Sequence, residues 1–130
     1  MGKKGSVKKI LLFEDNGDQI LFFTEDLRDA GYEVEVVERL PSSSDDDNFK
    51  ALVGRATEFD IIVWDADMCV GGENIATTDG YIQAFAKVFN GPMIANSSQP
   101  RYRELQMMCG CTHNPSQKDP EKLIELLRLL

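Results

Sequence analysis

Apolar and polar positions alternate along the chain in blocks of two kinds. Lys9–Phe13 and Phe59–Trp64 are near-continuous apolar runs ended abruptly by acids, the pattern of strands buried on both faces. Tyr32–Val37 alternates as a short strand, Met93–Ala95 is another, and Cys111–His113 reads as a last, weak one. Between these, Ile20, Phe23, Leu27 and Ala30 fall at helical spacing over residues 17–30, and Gly31 supplies a stop. The polar stretch Pro41–Asn48 precedes a helix predicted from Phe49 to about Thr57. Tyr81, Ile82, Phe85, Ala86 and Phe89 form a helical stripe that Gly91-Pro92 breaks. Pro100 suits the first turn of a helix carrying Tyr102, Leu105, Met108 and Cys109. Asp119-Pro120 is a cap and first-turn pair for a final helix with Leu123, Leu126, Leu127 and Leu130 inward.

Five strands alternating with five helices predict an α/β fold, a doubly wound five-stranded parallel sheet in a single domain. In such a sheet the functional crevice lies at the carboxyl ends of the strands. Residues 1–7, small and basic, predict a flexible lead-in to a domain at 8–130. Gly2 and Ser6 fit an N-myristoylation pattern, but a flexible start is the simpler reading of so short a motif.

Composition narrows the function. The 130 residues suit one core, and 42% hydrophobic with 28% charged residues is an ordinary globular balance. Fourteen basic residues against 22 acidic give a net charge of −8, which argues against a nucleic-acid binder and suits a cation site. No apolar run exceeds four residues, so no membrane span or signal segment is expected. Three cysteines, an odd count, predict reduced thiols and a cytoplasmic protein.

The candidate chemistry sits at two strand ends. Glu14 and Asp15 follow the first apolar run, and Asp65 and Asp67 follow the third strand. If those strands are neighbours, the carboxylates converge, and like charges that close require a bound cation or a shared proton. All-oxygen ligation suits Mg²⁺ or Mn²⁺, and such a cation beside a carboxylate is a setting for phosphoryl transfer. The plain alternative is a set of solvated loop acids. Cys109-Gly-Cys111-Thr-His113 lacks the second half and the spacing of a zinc site. His113, the only histidine, has no supporting catalytic motif, and Gly71-Gly72 reads as loop flexibility rather than a phosphate cradle.

Across residues 8–130 the chain resembles the receiver domains of two-component response regulators. Lys9-Ile-Leu-Leu-Phe-Glu-Asp-Asn16, Leu27-Arg-Asp-Ala-Gly-Tyr-Glu-Val34 and Phe59-Asp-Ile-Ile-Val-Trp-Asp65 carry the resemblance. It implies a flavodoxin-like sheet of strand order 2-1-3-4-5. It also implies that Glu14 and Asp15 hold Mg²⁺, that Asp65 is a metal ligand and the phosphoacceptor, and that the Asp67 backbone carbonyl ligates the metal. Ser97, after Pro92-Met-Ile-Ala-Asn96, matches the hydroxyl residue that bonds the phosphoryl group, and Lys118 matches the lysine that pairs with it. Asp65-Ala-Asp67 also resembles the opening motif of haloacid-dehalogenase-type phosphatases, which carry it on their first strand.

The chain departs from the receiver pattern in four places. Cys69 stands where a proline is usual, and Val70–Thr78 is extra sequence, read as a mobile loop over 69–79 beside the metal. The segment Thr112–Lys118 lacks the apolar run, the aromatic and the proline after lysine, and Gln117 competes with Lys118 for the lysine position. Ser98 replaces a smaller residue, and Ser42–Asn48 lengthens the second connection. The expectation is a stand-alone receiver, not an enzyme in the narrow sense. It would accept phosphoryl groups from a sensor histidine kinase or histidine phosphotransfer protein and signal by conformational switching to an unknown downstream protein. The alternative is a pseudo-receiver that serves as an interaction module without phosphorylation.

Overall fold

The computed structural model describes residues 7–70 and 74–130. Strand β1 (Lys9–Phe13) leads into helix α1 (Gly17–Asp29), β2 (Glu33–Val37) and α2 (Asp47–Val53). A 3-10 turn at Ala56–Glu58 precedes β3 (Ile61–Trp64), and a hairpin of β4 (Asp67–Val70) and β5 (Asn74–Thr77) follows. Helix α3 (Asp79–Ala86), β6 (Met93–Ala95), α4 (Pro100–Cys109) and α5 (Pro120–Leu127) complete the chain. The lead-in expected at 1–7, with its Gly2 and Ser6, lies outside the described residues except for Val7, and so do Gly71 and Gly72.

The main sheet is parallel in the order β2-β1-β3-β6. Period-two alternation along β1 and β3 sends side chains to both faces, and both faces are covered. Leu11, Phe13, Ile62 and Trp64 join Phe49, Met68, Ile82 and Phe85 in one core; Ile10, Leu12, Ile61 and Val63 join Phe23, Leu27, Leu123 and Leu127 in the other. Phe13 and Trp64 stack with centroids 3.9 Å apart, and Phe85 packs edge-on against both. Burying large rings on adjacent strands fixes the β1–β3 register that the site depends on.

Two expectations need correction. The fifth strand at Cys111–His113 is reduced to one parallel bridge, Ile94 to His113. Ala95 N donates to His113 O, but Pro115, two residues on, has no N–H to donate, so pairing stops. The main sheet is therefore four-stranded, in the expected order as far as it goes. The segment read as a mobile loop over 69–79 instead contains the antiparallel hairpin, with Asp67 opposite Thr77 and Cys69 opposite Ile75. Met68 anchors it in the core, Leu40 N donates to Cys69 O, and Thr78 N donates to Ala66 O.

The helices differ from expectation mainly in which side they bury. Helix α2 starts earlier, with Asp46 as its cap, and Leu130 is exposed rather than inward. Helix α4 is inverted. Tyr102, Leu105 and Met108 are exposed, while Arg103 and Gln106 are buried against the sheet. Gln106 Nε2 donates to Trp64 O at 2.9 Å, so the polar face is matched to backbone acceptors at the strand ends. At the helix end, Gly110 has φ +135°, and a Cβ there would stand 2.7 Å from Ala86 Cβ, so only glycine fits. Urea unfolding tests the inversion. Gln106→Ala should cost about 1–3 kcal/mol by removing a buried hydrogen bond and the packing of a fully buried side chain, whereas Met108→Ala should fall within about 0.5 kcal/mol of wild type.

Candidate functional site

The register Phe13–Trp64–Ala95 means that Glu14, Asp65 and Asn96 leave the sheet side by side. Their amides are pinned to the neighbouring strands: Glu14 N to Val37 O, Asp65 N to Phe13 O and Asn96 N to Trp64 O, at 2.9–3.2 Å. Asn16 caps α1 by accepting from Gln19 N, and its own N–H donates to Glu14 Oε2 at 3.2 Å. Asp15 is held from the other side, where Cys69 N of the hairpin donates to its Oδ2 at 3.0 Å. Asp65 Oδ1 accepts from Ala66 N, and Asp65 O accepts from Thr78 Oγ1 at 2.6 Å.

These restraints place one carboxylate oxygen each of Glu14, Asp15 and Asp65 within 4.8 Å of one another. Lys118 Nζ lies 2.6 Å from Glu14 Oε1 and 3.3 Å from Asp65 Oδ1. The four residues line a cleft of about 500 Å³ together with Asp67 and Ser97. Asp67 sits at the start of β4; its side chain is not among the three converging carboxylates. Ser97 is buried, and its Oγ accepts from Gln99 N at 3.1 Å. Gln117 does not line this cleft but an adjoining one, so the structure brings Lys118, not Gln117, to the acids. His113 pairs with its neighbour Thr112 at 2.7 Å and stands apart from the cleft.

Thr78, Arg103 and Gln106 were not legible as site residues. Thr78 ties the end of the inserted hairpin to the Asp65 carbonyl, and the only sequence signal for that hairpin is Gly-Gly between two short apolar–polar alternations. Arg103 and Gln106 sit three apart on α4, as do Tyr102, Leu105 and Met108, and the apolar series drew the assignment.

Charge dominates the cleft. Burial, reinforced by the Glu14 carboxylate and opposed by the Lys118 ammonium, pushes the Asp65 carboxyl up to about 7. Asp67 is also raised, by burial and then by Asp65, Asp79 and Asp15. Three hard, anionic oxygen donors converging with one ammonium between them fit a small divalent cation such as Mg²⁺. A carboxyl raised from 3.8 to about 7 binds its proton more tightly in the folded state than in the unfolded. Its contribution to stability is therefore largest at low pH and is lost as pH climbs through 7. In chelator at pH 8, Asp65→Asn should be more stable than wild type by about 1–3 kcal/mol, an advantage that shrinks toward pH 4. Urea midpoints across that range read it directly.

No protein-family model and no curated protein sequence matches the chain. Solved structures do. Chemotaxis protein CheY4 of Vibrio cholerae superposes with a TM-score of 0.64 at 22% identity, covering 95% of this chain and 98% of that one. The CheY-like response regulator receiver domain from Methylobacillus flagellatus gives 0.68 at 15% identity, over 95% and 98% of the two chains. That from Methanospirillum hungatei gives 0.64 at 16%, over 95% and 93%. Over nearly its whole length, the chain has the flavodoxin-like α/β fold of CheY-like response regulator receiver domains.

Proposed function

We propose that the 8–130 unit is a phospho-accepting receiver, with Asp65 as acceptor in a reaction that depends on Mg²⁺ or Mn²⁺. The observation that carries this reading is the convergence of Glu14, Asp15 and Asp65 with the Lys118 ammonium at the carboxyl ends of adjacent strands. Glu14, Asp15 and Asp65, with the Asp67 carbonyl, would hold the divalent cation, which would supply charge neutralisation for the incoming phosphoryl group.

This chain's residues supply the rest. The donor is a phosphohistidine on a sensor histidine kinase or histidine phosphotransfer protein. An Asp65 oxygen attacks phosphorus, the P–N bond breaks, and the imidazole leaves with the electron pair and is protonated. Asp65 must be ionised for this, and its raised pKa means that neutralisation of the cleft favours the reactive form. The Lys118 ammonium stands where a phosphoryl oxygen on Asp65 would meet it, and the Ser97 hydroxyl lines the same cleft. The resulting charge shifts a two-state equilibrium that a downstream protein reads, so the chain acts as a signalling switch rather than a turnover enzyme.

A second reading has its own support. Lys118 already bridges Glu14 and Asp65, so the cleft is partly neutralised without a cation, as a pseudo-receiver used only for protein interaction would require. Intact mass after incubation with a small phosphodonor separates the two. Wild type should gain one phosphoryl group only when Mg²⁺ or Mn²⁺ is present, and Asp65→Asn should gain none. Phosphorylation of Asp65→Asn at the wild-type rate would contradict the acceptor assignment. A wild type that forms no adduct with any donor would favour the pseudo-receiver.

A further inference from the structure

Arg103 is a buried cation that takes part in none of the ion pairs among the described residues. A guanidinium in that position is costly unless neutral acceptors satisfy its donors. They do: Nη1 donates to Ser97 O at 2.8 Å, Nε to Asn114 Oδ1 at 3.0 Å and Nη2 to Ser116 O at 2.6 Å. The loop is folded around this group. Ser116 N donates to the same Asn114 Oδ1 at 2.9 Å, and Ser116 takes φ +70°, the only positive φ at a non-glycine among the described residues. A left-handed serine persists only where its surroundings hold it.

Two residues beyond Ser116 comes Lys118, and then Asp119, which caps α5 through Lys122 N at 3.1 Å. The last sheet contact before this loop is the single bridge at His113. No ladder holds residues 114–118, so the guanidinium on one side and the α5 cap on the other determine where the lysine stands.

We propose that Arg103 is a positioning residue of the acidic cleft: by clasping the Ser97 carbonyl and the 114–116 loop together, it holds the Lys118 ammonium against Glu14 and Asp65. One guanidinium on α4 then sets both the hydroxyl residue and the lysine. Its consequence for cation binding rests on the function proposed above, whereas the clasp itself does not.

The test is a double-mutant cycle of Arg103→Lys and Lys118→Ala. Lysine keeps the charge at 103 but cannot span three acceptors as a planar fork does. Mg²⁺ is titrated against the fluorescence of Trp64, the chain's single tryptophan and the residue before Asp65. Lys118→Ala removes the ammonium that competes for the carboxylates and should tighten Mg²⁺ binding roughly ten-fold. Arg103→Lys should tighten it about three-fold or more, and the double variant should bind no tighter than Lys118→Ala alone. A general loss of stability would not produce tighter binding. Arg103→Lys titrating like wild type, or effects that multiply in the double variant, would overturn the proposal. If wild type shows no saturable Mg²⁺ response, the cation site of the proposed function fails, and urea unfolding of the same four proteins in chelator decides on Arg103. A coupling of about three-fold or more in the folding equilibrium supports the clasp, and independent effects reject it.

Discussion

Glu14, Asp15 and Asp65 hold carboxylate oxygens within 4.8 Å of one another, and a single ammonium, that of Lys118, stands against two of the three groups. Such a cluster repels itself and loses hydration as it is buried, so it persists only where the surrounding structure over-determines it. Much of the fold near the strand ends answers that demand. The Phe13–Trp64 stack fixes the register that sets Glu14 beside Asp65. Backbone N–H groups of Asn16, Ala66 and Cys69 each donate to one of the three carboxylates. The strain that remains appears in the raised Asp65 pKa, which makes the cleft a place where added positive charge is rewarded.

Helix α4 connects that cleft to the surface in an unusual way. Its inner face carries Gln106 on the Trp64 carbonyl and Arg103 on the Ser97 carbonyl, both backbone atoms that flank site residues. These directional hydrogen bonds, together with Met107 and Cys109 packed on the core, locate this helix over the strand ends. Hydrogen bonds of this kind have defined geometry and are lost over short displacements. Tyr102, Leu105 and Met108 face outward on the same helix.

The sequence displayed the parts of this design that obey periodicity. Lys9–Phe13 and Ile61–Trp64 are buried on both faces, as their apolar runs predict, and the acids that end them converge as neighbouring parallel strands require. Lys118, directly before the α5 cap that Asp119-Pro120 announces, stands against Glu14 and Asp65, whereas Gln117 does not line their cleft. Other features were hidden for physical reasons. The fully buried residues of α4 are polar, and its exposed apolar series at 102, 105 and 108 imitates a buried stripe. A two-strand hairpin anchored by one fully buried residue, Met68, gives too short an alternation to be distinguished from a glycine-rich loop. The fifth strand fails because Pro115 interrupts its donors, and its place is taken by side-chain contacts that no periodicity records.

The electrostatic state of the three-carboxylate cluster governs the cleft, and carbon-detected NMR titration of the Asp65 carboxyl measures that state at the atom concerned. In chelator, Asp65 should titrate near 7, and with saturating Mg²⁺ its midpoint should fall well below that value as the cation takes the place of the proton. An Asp65 carboxyl that titrates near 3.8 in chelator, with no displacement on adding Mg²⁺, would contradict the claim that this cluster is a frustrated site poised for a cation.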